Sequence, residues 1–283
     1  MVLIVLLGSL SPLLARNQIR IVTSFLPAYC FTCAITKDFA RVENLASSGV
    51  DPHDYQLSPG DLRRLQCADL IVVNGLGLEP WLEKVAVVVK GKNRVAALAD
   101  RLGGEVLHIG SSGEINPHIW LDPDLAAISV TNILSALQVV DPSNSKVYAR
   151  NADVFIERLR DLDQKIQSSL QPFREKAFIT YHDAFPYFAK HYGLNLAGVV
   201  EQIPEVPPSA RELTKLFGII RRDKVRAIFT EPLDPPRLAR QIARDAGILL
   251  GVLDTIETGS NDPFAYEKAM LQNAESLARF LSE

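Results

Sequence analysis

At 283 residues the chain is long enough for two domains. Its 47% hydrophobic and 22% charged content is that of a soluble globular protein with a large buried core. A net charge of −3 and the lack of a concentrated basic stripe argue against nucleic acid and against an anionic membrane surface as partners.

Val2 to Leu14 is almost wholly apolar, interrupted by Gly8, Ser9, Ser11 and Pro12. It is too short for a spanning helix, which needs about 20 apolar residues. It fits the apolar core of a secretory signal ending near Ala15. No Lys or Arg precedes it, however, and Leu13 stands where a small residue is usual. A buried first strand is the competing reading. Residues 1–16 are expected to be an export segment outside the fold, which implies a periplasmic or extracytoplasmic protein.

Residues 18–25 read as a first strand, 27–38 as a helix after Pro27, and 41–46 as a second strand. Cys30 and Cys33 have C-x-x-C spacing on that first helix. No second pair completes a zinc knuckle, so packing or an incidental disulfide is favoured over redox chemistry. With Cys67 the count is three, which is no disulfide framework. Ser58-Pro59-Gly60-Asp61 opens a second helix, and 69–74 is a buried strand. Gly75-Leu76-Gly77 follows it, but the third glycine of a dinucleotide loop is missing.

After Pro123 a helix is expected to run to about Val140. Asp141-Pro142 then restarts one, with a capping residue and Pro at its first position. Val147, Asn151, Phe155, Leu159, Leu162, Ile166 and Leu170 step by four or three, and Pro172 ends the series. A helix of about 28 residues spans about 42 Å, enough for a rigid spine across two lobes. The second series places strands at 177–181, 196–200, 225–230 and 249–253. Helices follow at 184–192, 209–221 (with Ser209 and Glu212 as a capping box), 236–246 and 264–281. Such alternation predicts an α/β fold of two lobes with mainly parallel sheets. The expected division is an N-terminal lobe over 17–140, a linking backbone helix over 141–171 and a C-terminal lobe over 172–283.

Three of the five histidines sit in short, similar settings: Asp51-Pro52-His53, Asn116-Pro117-His118 and Tyr181-His182-Asp183. A preceding proline stiffens the first two loops. Stiffly aimed imidazoles suit a metal ion. Asp254 closes the last strand in the same manner. The four residues are 65, 64 and 72 positions apart, about one supersecondary unit each. In open α/β sheets ligands bind beyond the carboxyl ends of strands, so the site is expected in the cleft between lobes. Asp54, Asp122 and Asp183 are candidate acceptors for imidazole N–H groups. Trp120 and Tyr55 are expected to pack beside the site, while His108 and His191 are read as structural.

The stretches Gly49-Val50-Asp51-Pro52-His53-Asp54-Tyr55, Asp69-Leu70-Ile71-Val72-Val73-Asn74-Gly75, Pro117-His118-Ile119-Trp120-Leu121-Asp122-Pro123, His182-Asp183-Ala184-Phe185 and Phe229-Thr230-Glu231-Pro232 carry a family resemblance. Together, in this order, the chain resembles the zinc/manganese-type periplasmic solute-binding proteins, the TroA-like receptors of metal-importing ABC transporters. The resemblance implies a monomeric, non-enzymatic receptor of two lobes on one backbone helix, with a membrane permease as partner. It places the metal ligands on His53, His118, His182 and Asp254. Leu253-Asp254-Thr255-Ile256-Glu257 departs from the usual continuation, which leaves Glu257 or Glu231 as alternatives to Asp254. The His-rich loop of many zinc-specific members is reduced here to His108–Asn116. Three imidazoles and one carboxylate suit zinc, whereas manganese prefers more oxygen, and manganese-selective relatives tend to carry Glu in place of the third His. Zinc is therefore the expected ion, with manganese or iron as alternatives. Binding is expected to weaken below about pH 6, because imidazoles must lose their protons to ligate.

A zinc hydrolase is the rival from another class. It would keep an open coordination position, and neither H-E-x-x-H nor G-x-S-x-G is present. A surface adhesin of the same fold, with metal only structural, is the third possibility.

Overall fold

The computed structural model describes residues 18–46, 49–86, 95–104, 106–109, 113–201, 206–232 and 236–282. The export segment expected over 1–16 lies outside them.

Two four-stranded sheets carry the architecture. The first has β1 (Ile19–Thr23), β2 (Ala40–Asn44), β3 (Leu70–Val73) and β4 (Val95–Ala97) in the order β2-β1-β3-β4. The second has β5 (Ala177–His182), β6 (Asn195–Glu201), β7 (Ala227–Thr230) and β8 (Leu249–Val252) in the order β6-β5-β7-β8. All of their pairings are parallel. β3 and β7 are buried at every position because helices cover both faces of each sheet. Gly251 in β8 is a packing requirement: a Cβ there would lie 2.6 Å from the Phe229 ring.

The helices of the first half are α1 (Leu26–Thr36), α2 (Pro59–Cys67), α3 (Leu82–Ala86) and α4 (Pro123–Val140). α5 (Ser145–Leu170) is the spine, and α6 (Pro186–Tyr192), α7 (Ala210–Arg222), α8 (Arg237–Ala246) and α9 (Ala265–Ser282) complete the second half. Capping boxes open α2 at Ser58–Asp61 and α7 at Ser209–Glu212. Gly247 ends α8 in the left-handed conformation.

α5 buries Tyr148, Asn151, Phe155, Leu159, Leu162, Ile166 and Leu170 along one stripe, the face that its periodicity predicts. It starts later than expected. Pro142–Asn144 form a 3-10 turn, because Asp141 turns its carboxylate to Ser143, Asn144 and Tyr148 rather than to helix N–H groups. α4, α1 and α9 all pack on this helix. One apolar core therefore continues from Phe25 and Trp120 through Phe155 to Phe178, Phe229 and Tyr266, and serves both sheets. α3 and β4 had no counterpart in the pattern of the sequence. The three-residue Val95-Ala96-Ala97 strand is too short to register as an apolar run.

His191 on α6 joins the two halves beside the spine. Its Nδ1 lies 3.1 Å from Asp122 at the start of α4, and its Nε2 lies 2.8 Å from Asp163 on α5. Asp124 stands further off, at 3.9 Å. Burial would lower the imidazole pKa, but hydrogen bonds donated to Asp122 and Asp163, and the charge of both, raise it to about 9. A folded-state value above the unfolded one contributes stability below about pH 6.5 that is lost as pH rises through about 9. His191→Gln is expected to lower the melting temperature by about 5 °C at pH 6 and by much less at pH 10. An equal loss at both pH values would refute the charged clasp.

Candidate metal centre

His53 lies in the loop between β2 and α2, where Asp51 Oδ1 accepts its backbone N–H at 2.8 Å. The Tyr55 hydroxyl reaches Asp61 Oδ2 at 3.0 Å, which ties this loop to the capped start of α2. His118 opens a 3-10 turn ahead of α4. The segment before it is held from β3, since Asn74 Nδ2 donates to the Pro117 carbonyl at 2.9 Å. Glu79, almost fully buried, accepts from Ser24 Oγ and from the N–H groups of Asn74 and Gly75. An acidic side chain thus occupies the place a phosphate would take, and the Gly75–Gly77 loop is no nucleotide cradle. His182 is the last residue of β5. Its Nδ1 meets Glu231 Oε1, just beyond β7, at 2.8 Å. β5 and β7 flank the point where the strand order of the second sheet reverses, where α/β ligands bind.

The three imidazoles converge. Ring centroids are 5.3 Å apart for His53 and His118, 5.7 Å for His53 and His182, and 4.9 Å for His118 and His182. The fourth member is Glu257, whose Oε1 is 2.9 Å from His118 Nε2 and 3.2 Å from His53 Nε2. One ligand atom from each of His53, His118, His182 and Glu257 lies within 4.8 Å of the others. The group opens on a cleft of about 460 Å³ whose walls include Leu76, Ile115 and Pro117.

Hydrogen bonding fixes which nitrogens are free. Asn116 Nδ2 donates to the Asp183 carbonyl at 2.7 Å, so its Oδ1 faces His118. That oxygen accepts from His118 Nδ1 at 2.7 Å. Burial, chiefly, lowers the His118 pKa to about 4, so the ring is neutral and its proton sits on Nδ1. Its Nε2 lone pair then points at the Glu257 carboxylate and at His53 Nε2, 3.4 Å away. Burial favours the neutral acid for Glu257, yet its contacts with the imidazoles, a hydrogen bond from His53 and the charge of His182 among them, hold it ionised, well below the usual carboxylate range. The bare His118 Nε2 facing this carboxylate calls for positive charge between them, which protons on His53 and His182 supply in the absence of metal and a bound cation would supply in their place.

Asp254 is not brought into this group. Its Oδ1 accepts the Ile256 N–H at 2.7 Å, while Asn273 bonds both its N–H and its carbonyl at 2.7 Å. It shapes a turn, as an Asp directly after a strand often does. Ile256 there has φ +63°, and this left-handed residue swings the chain so that Glu257, not Asp254, faces the imidazoles. Nothing in the residue order signals that φ. Glu231, the other alternative, holds the far side of the His182 ring. Asn116 opens the motif of His118 with no role assigned to it, yet it does for His118 what the neighbouring aspartates were expected to do. Asp122 caps α4 and bonds His191 instead. Trp120 packs against the His118 ring at 5.1 Å, as expected. Cys30, Cys33 and Cys67 are free thiols. Burial raises Cys30 to about 12 and Cys33 to about 11, which suits packing rather than ligation.

Known proteins share this arrangement of fold. The family model for zinc-uptake complex component A, periplasmic (ZnuA), matches residues 21–280. The high-affinity zinc uptake system protein ZnuA of Bacillus subtilis is 32% identical over 92% of this chain and 87% of its own length. The zinc-binding lipoprotein AdcA of Streptococcus pneumoniae is 31% identical over 86% of this chain, which spans 51% of that longer protein. Among solved structures, the Zn(II)-bound AdcA of Streptococcus pneumoniae superposes with a TM-score of 0.79 at 30% identity, over 94% of this chain and 58% of that one. The Pseudomonas aeruginosa solute-binding protein FpvC in complex with Mn2+ gives 0.84 at 27% identity, over 94% of this chain and 99% of that one. With a family match over nearly its whole length, the chain belongs to the ZnuA family of zinc-uptake binding components, which are receptors and not enzymes.

Proposed function

We propose that this chain is an extracytoplasmic zinc receptor that captures the ion between its two lobes and delivers it to the permease of an ABC importer. His53, His118 and His182 would each give Nε2 to the ion, and Glu257 would complete the set with a carboxylate oxygen. The observation that carries this is the convergence of three imidazoles and a buried carboxylate on one point, with one potential ligand atom from each within 4.8 Å of the others. Four protein ligands of this kind suit tetrahedral zinc and leave no open position for a catalytic water. Manganese and iron are the alternative cargoes, and relatives have been solved with Mn2+, Ni2+ and Cd ions. N₃O ligation and the higher intrinsic affinity of zinc favour zinc.

The lobe boundaries proposed are 17–140 and 172–283, joined by the backbone helix over 141–171. Buried hydrogen bonds cross between the two halves around the site: Trp120 Nε1 to the Thr255 carbonyl, Tyr266 to the Trp120 carbonyl, and Tyr187 to the Asn116 carbonyl. With the long helix, they confine closure to small local movements. The protein is expected to act as a monomer and to bind no nucleic acid.

Elemental analysis and competition among zinc, manganese and iron test the cargo directly. One zinc per chain is expected, and His182→Ala is expected to lower its affinity by at least about 100-fold, or about 2.8 kcal/mol. Unchanged stoichiometry and affinity in that variant would remove His182 from the ion.

A further inference from the structure

Glu257 shows its two oxygens to different neighbours. Oε1 faces His118 and His53, while Oε2 accepts the Thr255 hydroxyl at 3.0 Å in a buried setting. Thr255 is held on both sides. Its carbonyl accepts the Trp120 indole N–H at 2.7 Å. The next peptide turns through Ile256 at φ +63° with its N–H on Asp254 Oδ1. A β-branched residue in that region is a strained exception, and the contacts of Asn273 with Asp254 hold the turn in place. The Thr255 main chain therefore stays where it is if the carboxylate rotates towards an ion, and its hydroxyl can follow only by side-chain rotation.

We propose that Thr255 is a specificity-determining residue: by retaining Glu257 Oε2 it limits this carboxylate to one oxygen at the metal and so favours four-coordinate zinc over manganese. The inference rests on the cluster being the metal site. Three imidazole nitrogens and one oxygen satisfy zinc. Manganese gains from further oxygen ligands, and the second oxygen of Glu257 is the nearest one. Recruiting it would break the bond to Thr255 and leave a buried hydroxyl without a partner. That cost falls on manganese and spares zinc.

The test compares wild type, Thr255→Val and Thr255→Ser, each as the full chain with folding verified by circular dichroism. Affinities for zinc alone and manganese alone are measured by chelator competition. Thr255→Val is expected to reduce the preference for zinc about 10-fold, the effect of one buried hydrogen bond, and Thr255→Ser to keep it. X-ray absorption on zinc-loaded wild type should find one carboxylate oxygen at the ion, a measurement that holds even if the valine variant misfolds. An unchanged preference in folded Thr255→Val, or two carboxylate oxygens in the wild type, would overturn the role of Thr255 while leaving the metal site intact. Failure of the wild type to bind either ion would overturn the site and this proposal together.

Discussion

Glu257→Ala is expected to weaken zinc binding by on the order of 10²–10³-fold, about 3–4 kcal/mol, whereas Asp254→Asn should stay within about threefold of wild type. The two residues are three positions apart and carry the same charge, so electrostatics at a distance would not separate them. Geometry does. Glu257 places an oxygen 2.9 Å from His118 Nε2, and its own side chain is buried. Alanine removes both a ligand atom and the anion that balances the divalent charge, and a neutral water entering from the cleft would replace only the ligand atom. Asn at 254 keeps the oxygen that accepts the Ile256 N–H, and with it the turn. Asp254→Ala is expected to be intermediate, with a loss of about 10-fold, because it releases that turn and blurs the aim of Glu257. Zinc affinities by chelator competition on the three variants decide the matter. A large loss in Asp254→Asn with little loss in Glu257→Ala would exchange their roles.

The contrast between these residues marks where the sequence stops being legible. The three histidines that converge could be singled out because each follows a strand or a proline-stiffened loop, and strand ends are visible as apolar runs. The same holds for the spine, whose apolar stripe repeats at helical spacing, and for α2 and α7, whose starts are written in Ser58–Asp61 and Ser209–Glu212. Asp254 follows a strand too, and the same rule pointed to it. It failed there because the loop after β8 turns through a non-glycine left-handed residue, and one such torsion redirects every side chain that follows. Asn116 and Glu231 were obscure for a related reason. Their partners are the far nitrogens of His118 and His182, and contact between Glu231 and His182 depends on β5 lying next to β7, an adjacency set by sheet order and not by spacing. Short elements such as β4 bury too few residues to leave a pattern, and packing alone fixes them.

Zinc binding is expected to release protons near neutral pH and to weaken steeply as the medium is acidified. His182 is the principal source. Burial would lower its pKa, but the hydrogen bond it donates to Glu231 and the charges of Glu257, Glu231 and Asp51 raise it to about 9. His53 is raised in the same sense: burial opposes its charge, and the hydrogen bond and charge of Glu257 outweigh that. Without metal, protons on these rings answer the negative charge of Glu257, and an incoming ion has to displace them. His118, at about 4, has no proton on Nε2 to lose and gives the ion its first unobstructed nitrogen. The sign follows directly. A raised imidazole pKa means that protons compete with zinc throughout the range below about 9, so affinity rises with pH and levels off only above it. The onset therefore lies well above the pH 6 that ordinary imidazoles would suggest. Each competing proton costs up to about tenfold in affinity per pH unit, so between pH 7.5 and 5.5 a loss of at least about 100-fold is expected. Titration calorimetry at pH 7.5 in buffers of different ionisation enthalpy should count about one proton released per zinc bound. Glu231→Gln should lower that count and flatten the pH dependence, because the amide no longer holds charge on His182. Zero proton release, with equal affinity at both pH values, would mean that the imidazoles are free of protons before the ion arrives, and Glu231 would then orient His182 without charging it.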